Sequence, residues 1–448
     1  MLRVVIGLNA HSSKNNVGFP VSASSFEEMN VSLEKFNKKA KQWLDENAQL
    51  VSESSAPKDP SSSNPDFNVA VFHALGHEKE KALLNEAKAW NQKKAHQGYH
   101  AITWEPKFGG LGLSREHARE FAKLERQYKL PERHETFNVT TGLIAPTVEV
   151  FGTEEQKDRF IAQFLSTQVL CCQLFSEPGA GSDLAGLACR AEQDGEEWVV
   201  NGQKVWSSGA QFSEWGQLIA RTDPKAPKHK GMTAFLVPLD LPGIEIRPIR
   251  QMSGGSSFSE VFFDNCRIPA SLRLGPIGEG WKVALTTLSF ERDRSNTEAS
   301  GGTRKVGGSW HQLLATASTI EATKDKVTRQ ALMKMYTHSR IENLLNRRAA
   351  DLARGGAPGP EGSLGKLMWT EGMSLMSDVV SSILGLRLVA NSGEPGTYTW
   401  TEHVLGAPGY RIAGGSDEIQ RNIIAERVLG LPSEPKIDKD IAWKDIPR

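Results

Sequence analysis

Three stretches of this chain carry residue types and spacings that could do chemistry. The first is FSEPGAGSD, Phe175 to Asp183. Gly179 and Gly181 free the backbone to turn its N–H groups toward one point and Ser182 adds a hydroxyl, so the segment could cradle a phosphate or pyrophosphate. A glycine-rich turn between strands reads from the same letters. The second is GGSDEIQRNIIAERVLG, where Ser416 is placed to cap a helix, with Asp417 and Glu418 in the first turn and apolar residues at Ile419, Ile423 and Ile424. A helix start preceded by Gly414 and Gly415 can receive an anion or can be an ordinary capped end. The third is a helical pattern near residue 281. Trp281, Leu285 and Leu288 form an apolar stripe, the helix period puts Arg292 in its middle, and Glu291 falls beside Ala284 at its edge. A carboxylate there is either an ion-pair partner or, through desolvation, a base with a raised pKa. Two histidine pairs four apart, His73 with His77 and His96 with His100, could each turn two rings to a metal from one helix face. Neither carries the Glu of H-E-x-x-H, so polar surface is the better reading and no metal is expected. Gly109, Gly110 and Gly112 in FGGLGL precede no Lys-Ser/Thr and read as a connection.

The elements that must position these groups divide the chain in three. Residues 33–50 and 115–129 have helical apolar spacing, separated by a Ser/Pro-rich break at 52–67. From about residue 171 short β-branched runs take over. Asn201-Gly202, between EEWVV and QKVW, predicts a hairpin with a type I′ turn. After Gly280 helical spacing returns in 281–294, 327–354, 363–391 and 416–429, with loops at 355–362 and 392–400. The expected class is α+β and multidomain. The expected division is a leader or disordered segment over 1–26, a helical domain over 27–170, a small antiparallel β domain over 171–275, a helical bundle over 276–432 and a tail over 433–448. The sequence contains no Rossmann glycine fingerprint and no internal repeat.

The 448 residues hold 53 Lys and Arg against 53 Asp and Glu, and each of the three parts is itself close to balance. That argues against a nucleic-acid groove or a polybasic membrane surface. The apolar runs fall well short of the ~20 residues of a membrane helix. MLRVVIGLNA is too weakly apolar for a secretory signal, while residues 1–26 lack acids and contain Ser, as an organellar transit peptide would. Cys171, Cys172, Cys189 and Cys266 show neither C-x-x-C nor a zinc spacing and read as buried thiols of a reducing compartment. The expected location is the cytoplasm, or the mitochondrial matrix for a eukaryotic source.

CQLFSEPGAGSD (172–183), NGQKVWSSGA (201–210), SSFSEVFFDNCRIP (256–269) and GGSDEIQRNIIAERVLGLP (414–432), in this order and spacing, resemble the acyl-CoA dehydrogenase family. Weaker likeness runs through AITWEPKFGGLGLS (101–114) and GTEEQKDRF (152–160). The resemblance implies an N-terminal helical domain, a middle β domain and a C-terminal four-helix bundle, with FAD between the last two. It also implies α,β-dehydrogenation of an acyl-CoA thioester, a β-hydride passed to flavin N5 and electrons passed on to an electron-transfer flavoprotein. The assembly it implies is a homodimer or homotetramer, with a heteromer as the alternative. Carried over by motif, Phe175 and Ser176 would line the flavin ring, and Ser182 would lie near the cofactor phosphate and the acyl-CoA. Trp206 and Ser208 would flank the isoalloxazine, and Gly415, Ser416, Asp417 and Glu418 would contact FAD.

Many family members carry the catalytic Glu immediately before the Gly-Thr of the last segment, where this chain has Gly414. A second branch, with isovaleryl- and long-chain-type enzymes, places it on an earlier helix in an L-x-x-E-R-like context. LSFER matches that context, which makes Glu291 the expected base and Arg292 part of the acyl-CoA site or a brace for the helix. The family's Arg-x-x-Phe element has no clean copy around KDKVTRQAL (324–332). An acyl-CoA oxidase is the nearest rival, separated by oxygen access to the flavin. A non-catalytic partner subunit is the rival from another class, and a metal hydrolase on the histidine pairs a remote third. Fatty-acid, amino-acid and sterol side-chain catabolism all remain open.

Overall fold

The computed structural model describes residues 31–51, 67–292, 306–353, 360–392, 397–435 and 438–447, with the backbone alone at 291, 292 and 353. The expected leader over 1–26 lies outside them, as does most of the loop at 355–362.

Leu33–Asn47 is a helix because Phe36, Ala40 and Leu44 recur every fourth residue and bury on one face, while the Ser32 side chain accepts the Lys35 N–H at the open end. It packs on the helix Arg115–Glu125, and Tyr99, Phe121 and Tyr128 close a small aromatic core between them. Glu154–Leu165 starts at a Thr153/Gln156 capping box and turns Phe160, Ile161 and Phe164 inward. These side chains, with Ile144, Ala145 and Val148, join the underside of the sheet in one continuous core. The helical and β parts are therefore not separately packed bodies.

Gln49–Leu50 (β1) and Tyr128–Lys129 (β2) form a small antiparallel ribbon. The main sheet comprises Cys171–Leu174 (β3), Arg190–Asp194 (β4), Glu197–Ser208 (β5), Trp215–Arg221 (β6), Met232–Pro238 (β7), Ile244–Ile249 (β8), Phe258–Pro269 (β9) and Arg273–Leu274 (β10). Its order is β10-β7-β6-β4-β5-β9-β8, with β3 also on β6. The expectation of a purely antiparallel domain is corrected at two places. β3 runs parallel to β6, from Cys171 opposite Trp215 to Leu174 opposite Leu218, and β4 meets β6 in parallel at Arg190 and Arg221. Parallel neighbours need a long crossover, and the chain between residues 175 and 214 supplies one.

The Asn-Gly signal is misplaced too. Asn201 and Gly202 lie inside the unbroken strand β5, and the hairpin closes earlier, at Gly195 and Glu196 between Asp194 and its partner Glu197. Asn201 is occupied across the sheet, its side-chain oxygen accepting the Asn265 N–H at 2.9 Å where the β5–β9 register shifts. Gly202 is needed because a β-carbon there would run into Cys189. All four cysteines are free and buried, as small core residues.

The helix Gly280–Arg292 packs Trp281 and Leu288 of the expected stripe against the core and corrects it at Leu285. Its buried face is Val283, Ala284 and Thr287, and Leu285 is 42% exposed. Val283 and Ala284 join the main core, and Thr287 bonds Thr147 at 3.0 Å and the wholly buried Gln217 at 3.0 Å. Beyond it, Trp310–Thr319, Lys326–Ala353, Gly362–Leu384 and Thr401–Tyr410 surround Leu313, Leu332, Met335, Met376, Val380 and Trp400. The helices at 310–319 and 401–410 escaped the apolar-spacing test because the first follows directly on the glycines 307 and 308 and the second contains Gly406, Pro408 and Gly409. Among the described residues no helix is long and apolar enough to cross a membrane.

One close approach ties the helical part to the end of β5. Gly209 has φ +63° and lies against Thr136, so that a β-carbon would meet Thr136 Oγ1. Gly209→Ala combines left-handed strain with overpacking and is expected to cost ~2–4 kcal/mol, read as a lowered urea midpoint. An unchanged midpoint would show that the two parts can separate there freely.

Candidate functional site

The FSEPGAGSD segment is held by one buried ion pair. Lys204 on β5 is 0% exposed and donates to the Phe175 carbonyl at 3.0 Å and to Glu177 Oε1 at 2.7 Å. Glu177 also accepts the N–H groups of Ala188 and Cys189, at 2.6 and 2.9 Å, so both of its oxygens are used. Its own backbone exchanges two hydrogen bonds with Ala180, which closes the turn. Gly179 and Gly181 in that turn have ordinary φ, and a β-carbon on either would meet nothing within 4 Å. Neither strain nor crowding inside the chain explains these glycines, which favours the cradle over the plain turn. Ser182 beside them is exposed. Asp183 is held by Lys228, which also binds Asp438 of the returning tail at 2.5 Å. That tail lays Trp443 against Arg221, with the guanidinium 4.8 Å from the ring.

β5 supplies the next side chains through a bulge. Lys204 pairs with Val261 and Ser207 with Ser259, so β5 carries one residue more than β9 between them. Val205 leaves the ladder to donate to the Ser176 carbonyl at 2.9 Å, and Trp206, at φ +60°, is thrown outward and left 59% exposed. Bulges re-aim side chains in this way beside binding sites. Phe258 meets the Trp206 ring edge-on at 6.0 Å. Phe175 is buried and Ser176 and Ser208 are half-buried. Phe175, Ser176, Trp206 and Ser208 are thus brought together by described contacts.

The start of the Asp417–Ile423 helix is built into the helical bundle. Ser416 caps it, accepting the Ile419 N–H, and Gly414 and Gly415 precede it at φ +66° and +84°. Asp417 is 1% exposed. Burial alone would raise its pKa, but Arg411 at 2.7 Å, Thr370 at 2.9 Å and the more distant Lys366 hold it below the usual carboxylate range. Its carboxylate is used within the chain, whereas Glu418 beside it is open to solvent. Glu291 and Arg292 end the helix Gly280–Arg292, and their side chains lie outside the described residues.

A further cluster was announced by no sequence pattern. Glu80, 2% exposed, accepts from His73 Nε2 and His134 Nε2, each at 2.9 Å. The expected pair His73/His77 does not form a face. His73 precedes the helix His77–Ala95, and His77 stacks on Phe212. With Glu80 the two rings have the composition of a metal site, yet Nδ1 of each accepts a backbone N–H, from Leu75 and from Thr136. Each ring proton is therefore on Nε2, directed at Glu80, which leaves no lone pair there for a cation.

Burial raises the Glu80 pKa, but the two histidine hydrogen bonds more than reverse it and bring it down to about 2 from 4.5. A carboxylate lowered in this way stabilises the fold above its unfolded pKa and loses that stabilisation as pH falls. Acid titration of wild type should therefore lose ~3 kcal/mol between pH 4.5 and about 2, at ~1.4 kcal/mol per unit, that Glu80→Gln does not lose. Parallel acid curves for the two proteins would contradict this. Burial raises the pKa of Glu135, next to His134.

Three family profiles match the chain in succession: acyl-CoA dehydrogenase N-terminal domain over 72–168, middle domain over 172–266 and C-terminal domain over 278–429. The acyl-CoA dehydrogenase IpdE1 of Mycobacterium tuberculosis is 38% identical over 362 residues, covering 81% of this chain and 92% of that protein. IpdE1 of Mycolicibacterium smegmatis is 35% identical over 418 residues, 91% of this chain and 100% of that protein. The solved Tcur3481-Tcur3483 steroid ACAD aligns at TM-score 0.68 and 25% identity, over 91% of this chain and 99% of its own.

Proposed function

This chain belongs to the acyl-CoA dehydrogenase family of oxidoreductases, and we propose that it desaturates an acyl-CoA thioester between Cα and Cβ with FAD as its cofactor. The observation that carries the reading is the bulge at Val205–Trp206, which presents an exposed indole beside Ser176 and Ser208 and leaves an open glycine turn at the other end of the same segment. A flat ring system can pack on the indole and a diphosphate can approach the N–H groups around Gly179 and Gly181, so the residues fit FAD. When bound, FAD accepts the hydride that leaves Cβ.

The chain's own tasks are to orient the thioester and to take the α-proton. Phe175, Ser176, Trp206 and Ser208 hold the ring, Ser182 lies toward the phosphates and the acyl-CoA, and Gly415 to Glu418 offer a further contact through backbone groups and the Ser416 hydroxyl. Glu291 is the base and Arg292 a substrate contact. The helix period supports this assignment, since position 291 follows Thr287 by four and Ala284 by seven, on the face turned to the sheet. Electrons pass to an electron-transfer flavoprotein. The likeness to a steroid ACAD supports a steroid-derived acyl group, and the pair of proteins in that name supports a heteromer beside the homomeric alternatives.

Purified protein should be yellow with stoichiometric FAD, and anaerobic acyl-CoA should bleach the flavin while peroxide forms slowly in air. A colourless chain inert to acyl-CoA would leave the non-catalytic subunit as the reading, and fast peroxide release would make it an oxidase.

A further inference from the structure

We propose that Trp443 and Asp438 of the returning tail are positioning residues that hold the C-terminal end of the FSEPGAGSD turn in place for a diphosphate ester; this rests on the reading of that turn as a cradle. The segment is anchored at two points. Lys204 and Glu177 fix its first part from within the sheet. Its second part, Asp183 to Leu187, hangs on Lys228 and Arg221. Lys228 donates to Asp183 at 3.2 Å, and Arg221, 2% exposed, donates to the Ala185 carbonyl at 2.6 Å and to the Leu187 carbonyl at 3.3 Å. Ser182 and the two uncrowded glycines 179 and 181 lie between these anchors along the chain.

The tail completes the second anchor through contacts of three kinds. Asp438 accepts from Lys228 at 2.5 Å, so one ammonium joins the tail to Asp183. Trp443 lays its ring on the Arg221 guanidinium and donates its indole N–H to the Gly186 carbonyl at 3.3 Å, which backs the cation and engages the turn itself. Backbone pairing sets the register. Ala442 bridges Pro227, and the N–H groups of Trp443 and Lys444 donate to the carbonyls of Ala226 and Pro224, each at 3.0 Å. Arg221 closes the same loop from beneath, donating to the Lys228 carbonyl at 2.8 Å. A turn that must offer several N–H groups to one anion binds more weakly when the ligand has to order those groups. Trp443 and Asp438 supply that order beforehand.

The test measures two diphosphate ligands on the FAD-loaded protein: FAD by its release on dilution, followed by flavin fluorescence, and octanoyl-CoA by calorimetric titration. Trp443→Ala is expected to weaken at least one of them by about fivefold, and the arm that falls identifies whose diphosphate the turn holds. Trp443→Phe, which keeps a ring on Arg221, should recover part of the loss. S-octanoyl-pantetheine, which has no diphosphate, should bind Trp443→Ala as it binds wild type. Far-UV circular dichroism reports whether the variant is folded, and if Trp443→Ala fails that check Asp438→Asn is read in its place, with a loss of about threefold expected. Both affinities within about twofold of wild type, a loss that Trp443→Phe shares in full, or an equal loss for S-octanoyl-pantetheine overturns the proposal while the dehydrogenase reading stands. A wild-type protein that holds no FAD and binds no octanoyl-CoA overturns both.

Discussion

Glu291→Gln is expected to lower dehydrogenation by ~10²–10⁴-fold while FAD stays bound. The amide keeps the size and shape of the carboxylate and removes its ability to take the α-proton, whose weak acidity makes proton removal a necessary part of the barrier. Binding of the thioester should change much less than turnover, since the loss falls on the transition state rather than on the ground-state complex. The measurement is dye-coupled turnover beside the flavin absorbance of the same sample. A variant within about tenfold of wild type would move the base away from residue 291. By the motif resemblance, Gly414 stands where many family members carry the catalytic Glu, which is why one substitution tests so much.

Removing Lys204 should be the most damaging change outside that chemistry. Lys204→Met leaves the nearly buried Glu177 carboxylate without its cation, and breaking such a pair from one side costs ~3–5 kcal/mol. Because Lys204 also holds the Phe175 carbonyl and Glu177 holds Ala188 and Cys189, the loss spreads along the segment that reads as the cofactor cradle. Two readouts should therefore fall together, the denaturation midpoint and the retained FAD. Adding Glu177→Gln to Lys204→Met should recover part of the stability, since the uncompensated charge is then gone. A single variant within about 1 kcal/mol of wild type would show that the pair is not what fixes the loop.

The two predictions rest on features of different legibility. FSEPGAGSD and LSFER are local strings, and local strings carry their spacing with them. Ser416 as a helix cap was readable for the same reason, because the cap, the acidic first turn and the apolar positions lie within a few residues. Asn201-Gly202 shows the limit. The dipeptide is compatible with a type I′ turn, yet β5 has neighbours on both sides, and pairing with β4 and β9 overrides the local preference. The helix at 280–292 shows the same limit in its packing. Spacing identified a helix and put Trp281 and Leu288 against the core, but Val283, Ala284 and Thr287, the last bonded to Gln217 and Thr147, form its most buried face, while Leu285 was left out.

The sequence by itself determined the order helices, strands, helices, the strings that place the chain in its family, and the free, unpaired state of the cysteines. These follow from periodicity and from residue types within short windows. Only the tertiary structure decided that Asp417 turns inward onto Arg411 and Thr370, that Trp206 is ejected by a bulge, and that Glu80 gathers His73 and His134. Each of those outcomes depends on which distant segments come into contact. A carboxylate's role follows from the donors and the solvent around it, and residues 73, 80 and 134 share no window from which that environment could be read.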